Sequence, residues 1–158
     1  MTQYRIIAVS EESAEKVRAA LKSPQYGHPA YVEAASGYGP CRCCLRKFEK
    51  GKDERILFTY NPFEGLQELP TPGPIYIHLK ECRKYEGERF PDELRDLPLV
   101  LEGYKRDGMI KRRERINDGE VDERIEEIMK DIEIEYIQVR NGEAGCYITR
   151  IERAVNGS

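Results

Sequence analysis

The sequence predicts a single α+β domain over residues 1–158, with a mainly antiparallel sheet and two main helices. β-branched and aromatic runs recur along the chain, as strands require. Turns or irregular loops join most of these runs, which favours antiparallel pairing. Only two stretches place apolar residues at helical spacing. A chain of 158 residues is the length of one domain with its own core.

The N-terminal half contains the first predicted helix. Ser10 is a good N-cap, and the two glutamates after it suit the positive end of a helix. Ala14, Val17 and Leu21 then form one apolar face. We expect the helix to end before Pro24, because proline disfavours a helical residue ahead of it. Strands are expected at residues 4–9, 30–35, 55–60 and 75–79.

The C-terminal half predicts two hairpins separated by a helix. Asp107 and Gly108 form a typical hairpin turn within residues 99–116. A short loop with two glycines lies within the second hairpin, at residues 134–151. An irregular loop with several prolines is expected at residues 63–74. The apolar face of the second helix consists of Val121, Ile125, Ile128 and Met129.

Composition restricts the partners and the compartment. A net charge of -3 gives no global attraction to nucleic acid or anionic lipid. The basic residues at 105–115 are followed by acidic ones at 120–135, so we expect the two faces to offset each other, which argues against nucleic-acid binding. No apolar run approaches the roughly 20 residues of a membrane span, and the N-terminus lacks the form of a signal peptide. These features predict a cytoplasmic protein without membrane contact, and they leave the oligomeric state open.

Cysteines are the most distinctive residues of the chain. Three of the five lie together as Cys41, Cys43 and Cys44, after a glycine–proline turn that we expect to present residues 41–45 in extended form. An odd number of cysteines without an export signal predicts reduced thiols or metal ligands, and not a disulfide framework.

The chain also carries a series of short motifs in a fixed order. They are GYGPCRCCLR at 37–46, LFTYNPF at 57–63, GPIYIH at 73–78 with Cys82 and Tyr85, YIQVRN at 136–141, and GCY at 145–147. From residue 37 to 153 this order resembles the bacterial domain-of-unknown-function family 1203. The resemblance implies a small single-domain fold and brings no activity with it. That family usually has His where Gln138 stands and Ala where Gly142 stands, so any role of a histidine beside Arg140 is absent or moved here.

One interpretation of the cysteines is a metal site. Cys41 and Cys44 form one close pair, and His78 and Cys82 form a second. Together they supply four soft or borderline ligands, which suit tetrahedral zinc. Two features oppose it. Leu45 stands where zinc knuckles usually place a glycine, and the second pair requires the strand to end or curl at its histidine.

A second interpretation is thiolate chemistry. Cys146 follows a glycine in the loop after Arg140 and would be the catalytic nucleophile, with His78 as its base and Asn141 orienting that base. Nearby arginines lower a cysteine pKa, and a glycine loop can present amides to an oxyanion. The sequence does not decide whether the protein is an enzyme.

A third interpretation is the binding of a small anion. Arginine forks match carboxylate or phosphate at two points, and the residues concerned are Arg42, Arg140, Asn141 and Cys41. The sequence favours such a site, with or without cysteine-dependent chemistry. The alternative is a zinc-stabilised structural or protein-interaction domain. Each residue also has a plain structural explanation, because free cysteine packs like a small apolar side chain.

Overall fold

The computed structural model describes residues 4–37, 39–60, 73–117, 119–143 and 145–153. This part of the chain contains eight strands, two α-helices and one short 3₁₀ helix, and it confirms the predicted α+β domain. In order, the elements are β1 (Tyr4–Ile7), α1 (Glu11–Ala20), β2 (Tyr31–Ala34), β3 (Glu54–Tyr60), β4 (Gly73–His78), the 3₁₀ helix (Asp92–Leu94), β5 (Leu99–Lys105), β6 (Ile110–Ile116), α2 (Val121–Met129), β7 (Ile134–Asn141) and β8 (Tyr147–Arg153).

The larger sheet is antiparallel, with the strand order β1-β8-β7-β5-β6. Both predicted hairpins are present, as β5–β6 and β7–β8. Helix α2 packs on one face of this sheet, and the four apolar residues predicted for its inner face are all buried. They join alternate residues of the strands in the main hydrophobic core.

The smaller antiparallel sheet has the order β2-β3-β4. Ile56, Phe58, Ile75 and Ile77 are buried on it and form a second core with apolar residues of α1 and the cysteines of residues 41–44. The cysteine-rich turn is therefore packed between this sheet and α1. This second core determines where the sulfur atoms lie.

Helix α1 begins as predicted and ends earlier. Ser10 Oγ accepts a hydrogen bond from Ser13 N at 3.1 Å, which confirms the N-cap. The helix ends at Ala20 because Leu21 adopts a left-handed conformation with φ 52°, so Pro24 is not the residue that stops it. The turn is completed by a hydrogen bond from Leu21 N to Val17 O at 2.8 Å.

Arg42 connects the two sheets. Its main-chain N donates to Tyr76 O of β4 at 3.0 Å, and its side-chain Nε donates to Tyr147 O of β8 at 2.8 Å. Its own carbonyl accepts from Val9 N at 3.0 Å. One residue of the cysteine-rich turn thus contacts both sheets and the segment between β1 and α1.

Most of the proline-containing loop predicted at 63–74 lies outside the described residues, and its last two residues open β4. In the described ranges, no helix is long and apolar enough to cross a membrane.

Candidate metal centre

The cysteine-rich segment forms a tight turn, so the prediction of an extended run at 41–45 is wrong. Leu45 N donates to Cys41 O at 2.9 Å, and Cys41 N donates to Arg46 O at 3.0 Å. These two bonds close the turn over residues 42–44. The chain reverses between Cys41 and Cys44, which allows both sulfur atoms to reach the same point.

Leu45 resolves the first objection to a metal site. Its φ is 57°, in the left-handed region that a glycine would adopt at this position. The conformation costs about 1–2 kcal/mol for a residue with a Cβ. The Leu45 side chain is completely buried in the main core, and this burial offsets the cost. A buried leucine therefore takes the left-handed position after Cys44 where a glycine was expected.

The second objection is resolved at the end of β4. The strand ends at His78, and the chain bends at residues 79 and 80 before it reaches Cys82. The His78 backbone N also donates to Cys41 Sγ at 3.4 Å. The second pair of ligands is therefore held against the first.

Four side chains meet at this point: one ligand atom from each of Cys41, Cys44, His78 and Cys82 lies within 4.8 Å of the other three. Cys41 Sγ and Cys82 Sγ are 3.9 Å apart, and Cys44 Sγ and His78 Nδ1 are 3.5 Å apart. Zinc bonds of about 2.3 Å to sulfur and about 2.0 Å to nitrogen give tetrahedral edges of roughly 3.8 and 3.5 Å. Both measured separations match these edges.

Two charged residues contact the cluster from outside. Asp53 Oδ2 lies 3.3 Å from His78 Nε2, on the side of the ring opposite Nδ1. Arg18 Nη2 lies 3.5 Å from Cys82 Sγ, and Arg18 Nε donates to His78 O at 3.1 Å. Sequence reasoning missed both residues, because their distance along the chain from the cysteines gives no local signal.

Hydrogen bonding within the cluster shifts the pKa values of its thiols and of its histidine. Hydrogen bonds from the Cys41, Cys43 and Cys44 thiols lower the pKa of Cys82. Hydrogen bonds to Cys41 and Cys82 raise the pKa of His78 to about 10. Hydrogen bonding to the same sulfurs, together with burial, raises the pKa of Cys44. Three sulfur atoms and one imidazole nitrogen within 4.8 Å of one another form a donor set that soft or borderline metal ions prefer.

The arginines predicted to bind an anion are already engaged. Arg42 is buried, and its side chain donates to Pro40 O and Tyr147 O; burial lowers its pKa to about 10. Arg140 Nε donates to Glu102 Oε1 at 2.7 Å, and Arg140 Nη1 donates to Gly145 O at 2.9 Å. Both arginines therefore bind carbonyl groups near the start of β8.

The remaining predicted residues lie in the same loop. Asn141 Oδ1 accepts a hydrogen bond from Glu143 N at 2.8 Å. Cys146 is exposed. The His78 ring contacts the cysteines of the cluster on its Nδ1 side and Asp53 on its Nε2 side. The structure thus brings the four predicted metal ligands together. Arg42 joins the cysteine-rich turn to Tyr147 at the start of β8.

These features define a single α+β domain with a Cys₃His cluster that is compatible with metal binding. The sequence profile described as "Protein of unknown function (DUF1203)" matches residues 38–153, and the chain belongs to this family. The chain has no significant match among curated proteins or solved structures.

Proposed function

We propose that this protein binds one Zn²⁺ ion through Cys41, Cys44, His78 and Cys82, and that the ion stabilises the domain. The observation that supports the proposal is the mutual distance of the four ligand atoms, all within 4.8 Å. Three thiolates and one imidazole suit Zn²⁺, whereas Mg²⁺ and Ca²⁺ prefer oxygen ligands.

A structural role follows from the number of ligands. Catalytic zinc sites keep one coordination position for water or substrate, and structural sites use four protein ligands. Here four protein side chains fill the tetrahedron. The ligands come from the cysteine-rich turn, the end of β4 and the segment after it, which are distant in sequence and adjacent in the second core. Metal binding would therefore be coupled to the folding of this part of the domain.

A small anionic ligand has less support. Arg140 is paired with the buried carboxylate of Glu102, which is 4% exposed and also accepts from Arg113 Nη2 at 2.7 Å. A cavity of about 460 Å³ lies beside Cys44. Two arginines that line it are paired with carboxylates, Arg46 with Glu93 at 2.9 Å and Arg95 with Asp92 at 3.0 Å. An anion would have to displace these pairs.

The first test is the metal content of reduced protein purified without a metal-binding tag. We expect about one zinc per chain, and we expect Cys44→Ser to reduce the content to near zero. Cys146→Ser is the matched control, because its thiol is exposed and belongs to no pair of the cluster. Wild-type protein without bound metal that also fails to bind added Zn²⁺ would overturn the proposal.

A further inference from the structure

We propose that Asp53 and Arg18 are positioning residues of the zinc site: Asp53 turns His78 Nδ1 toward the metal, and Arg18 balances the charge of the thiolates. This inference rests on the proposed function and extends it. It assigns roles to two residues that supply no ligand atom to the cluster.

Asp53 selects the tautomer of the histidine ring. A neutral imidazole carries one proton, and only its other nitrogen can bind a metal. Nε2 lies 3.3 Å from the Asp53 carboxylate, which can only accept a hydrogen bond when ionised. Once zinc replaces the proton on Nδ1, which lies 3.5 Å from Cys44 Sγ, the remaining ring proton is on Nε2 and faces Asp53. A carboxylate in this position orients the ring and increases its basicity toward zinc.

Asp53 is itself held in place. Its Oδ2 accepts from Glu49 N at 2.7 Å, and this bond holds the carboxylate beside Nε2 of the histidine ring. The Phe48 ring packs against the imidazole in a T-shaped arrangement, with ring centroids 4.7 Å apart. The ring is thus fixed by a polar contact at one edge and by packing on another side.

Arg18 supplies a counter-charge. Three thiolates with one Zn²⁺ carry a net charge of -1, and the site lies against the second core, with Cys41 and Cys44 buried and the other two ligands half-buried. An uncompensated charge in such surroundings is unfavourable. The Arg18 guanidinium lies 3.5 Å from Cys82 Sγ and supplies one positive charge that offsets the net charge of the zinc and its thiolates. Hydrogen bonds from a cation also hold a thiolate in its deprotonated form.

Arg18 also positions the segment that carries two ligands. Its Nε donates to His78 O at 3.1 Å while its Nη2 contacts Cys82 Sγ. A single side chain of α1 thus spans both ends of the segment from His78 to Cys82. The fork of the guanidinium makes both contacts at once, which the single ammonium of lysine cannot reproduce.

The test compares Zn²⁺ affinity in Asp53→Asn and Arg18→Gln, measured by competition with a chelator. Loss of such outer contacts typically reduces metal affinity about 10–100-fold, and we expect a reduction in that range for each variant. Asparagine keeps an oxygen that can accept from Glu49 N. Arg18→Lys should recover part of the affinity because it restores the charge without the fork.

Two matched controls change the same charges elsewhere. Lys16→Gln alters α1 at an exposed residue paired with Glu12 at 3.3 Å, and Asp96→Asn alters an exposed carboxylate paired with Lys47 at 3.0 Å. We expect both controls to keep the wild-type affinity. The visible absorption of the Co²⁺-substituted proteins gives a second measurement, because it reports the geometry of the metal and should change in Asp53→Asn.

The outcomes separate the two proposals. Wild-type affinity and an unchanged Co²⁺ spectrum in both variants would overturn the roles of Asp53 and Arg18 and leave the zinc site intact. A wild-type protein that does not bind Zn²⁺ would overturn the zinc site itself. In the metal-free state, Asp53→Asn should unfold at the same urea concentration as the wild type, and Arg18→Gln should lose only the stability that its hydrogen bond to His78 O provides. If the loss of stability of the metal-free variants accounted for their whole loss of Zn²⁺ affinity, the two residues would have a purely structural role.

Discussion

Cys44 Sγ lies 3.5 Å from His78 Nδ1, although the two residues are 34 positions apart. The contact joins the cysteine-rich turn to the end of β4, and a metal at this point would add direct bonds between the two segments. Removal of the metal should therefore have a measurable effect on the stability of the domain.

Zinc should stabilise the protein by an amount that grows with the logarithm of the free zinc concentration above the Kd. A ligand that binds only the folded state, at 100 times its Kd, adds about 2.7 kcal/mol to the free energy of unfolding. We expect excess chelator, or Cys44→Ser, to remove this contribution in urea unfolding followed by circular dichroism. Cys146→Ser should unfold like the wild type at every zinc concentration. Equal stability with and without chelator would contradict a structural role of the ion.

Two leucines with positive φ should respond in opposite ways to glycine. Leu21 has φ 52° and is 42% exposed, so Leu21→Gly relieves backbone strain at little cost in packing. We expect it to stabilise the protein by roughly 0.5–1 kcal/mol. Leu45 has φ 57° but is completely buried. Loss of a buried leucine side chain costs about 2–5 kcal/mol, so Leu45→Gly should destabilise by roughly 1–3 kcal/mol net.

Urea unfolding of both variants measures this contrast. The zinc affinity of Leu45→Gly should remain at the wild-type level, because glycine adopts the left-handed conformation that the turn needs. A stabilising effect of Leu45→Gly would show that burial does not offset the strain.

Asp122 should make the stability depend on pH at the acidic end. It is 6% exposed, and it accepts hydrogen bonds from Tyr4 Oη at 2.6 Å and from Phe90 N at 3.1 Å, with Arg95 as an ion-pair partner. Burial raises the pKa of this carboxyl, but the hydrogen bonds and the arginine outweigh burial and lower it below its usual range. The folded state therefore binds this proton less readily than the unfolded chain.

The direction of the pH dependence follows from the difference between the pKa of Asp122 in the folded state and in the unfolded chain. The stabilisation is complete above the unfolded pKa of about 3.9 and is lost as the pH falls through the lower folded pKa. We expect Asp122→Asn to cost roughly 1.5–3 kcal/mol near pH 7. The difference from wild type should shrink below about pH 4, and urea unfolding between pH 3 and pH 7 measures it. A difference that stays constant down to pH 3 would mean that the carboxylate charge is unimportant.

Cys146 should be the first thiol to react. It is exposed, whereas Cys41 and Cys43 are completely buried and the other two cysteines belong to the cluster. We expect a brief treatment of zinc-loaded protein with iodoacetamide to label one thiol, located by peptide mapping, and denaturation with chelator to expose all five. Cys146→Ser should lose the rapid label. Rapid labelling of Cys82 in zinc-loaded protein would argue against its role as a ligand.

The secondary-structure elements and the types of metal ligand could be predicted from the sequence. The distant residues that hold the ligands in place could not. The hairpin at Asp107 and Gly108 and the buried face of α2 were predictable because turn chemistry and periodicity are local signals. The pairing of the Cys41 and Cys44 turn with the later histidine followed from ligand spacing. The left-handed conformation of Leu45 did not follow, because burial in a core formed by distant elements compensates it.

The same reason explains the residues that sequence reasoning missed. Arg18 lies on α1, and nothing in its neighbourhood along the chain distinguishes it from other surface arginines. Only the packing of α1 against the second core brings its guanidinium to Cys82. The ion pair of Arg140 was not predictable for a similar reason, because its partner Glu102 lies on another strand, 38 residues away.

Arg42 connects the cluster to the larger sheet, so loss of the ion would also affect residues outside the cluster. It follows Cys41 directly, and its guanidinium donates to Tyr147 O, in a strand of the larger sheet that contributes no ligand. If the turn relaxes when zinc leaves, this hydrogen bond weakens with it. We therefore expect the amide protons of β8 to exchange with deuterium faster in metal-free protein, while those of β6, at the far edge of the same sheet, keep their rates. Metal binding at the cluster would then also influence the stability of the neighbouring loop, which contains the exposed Cys146.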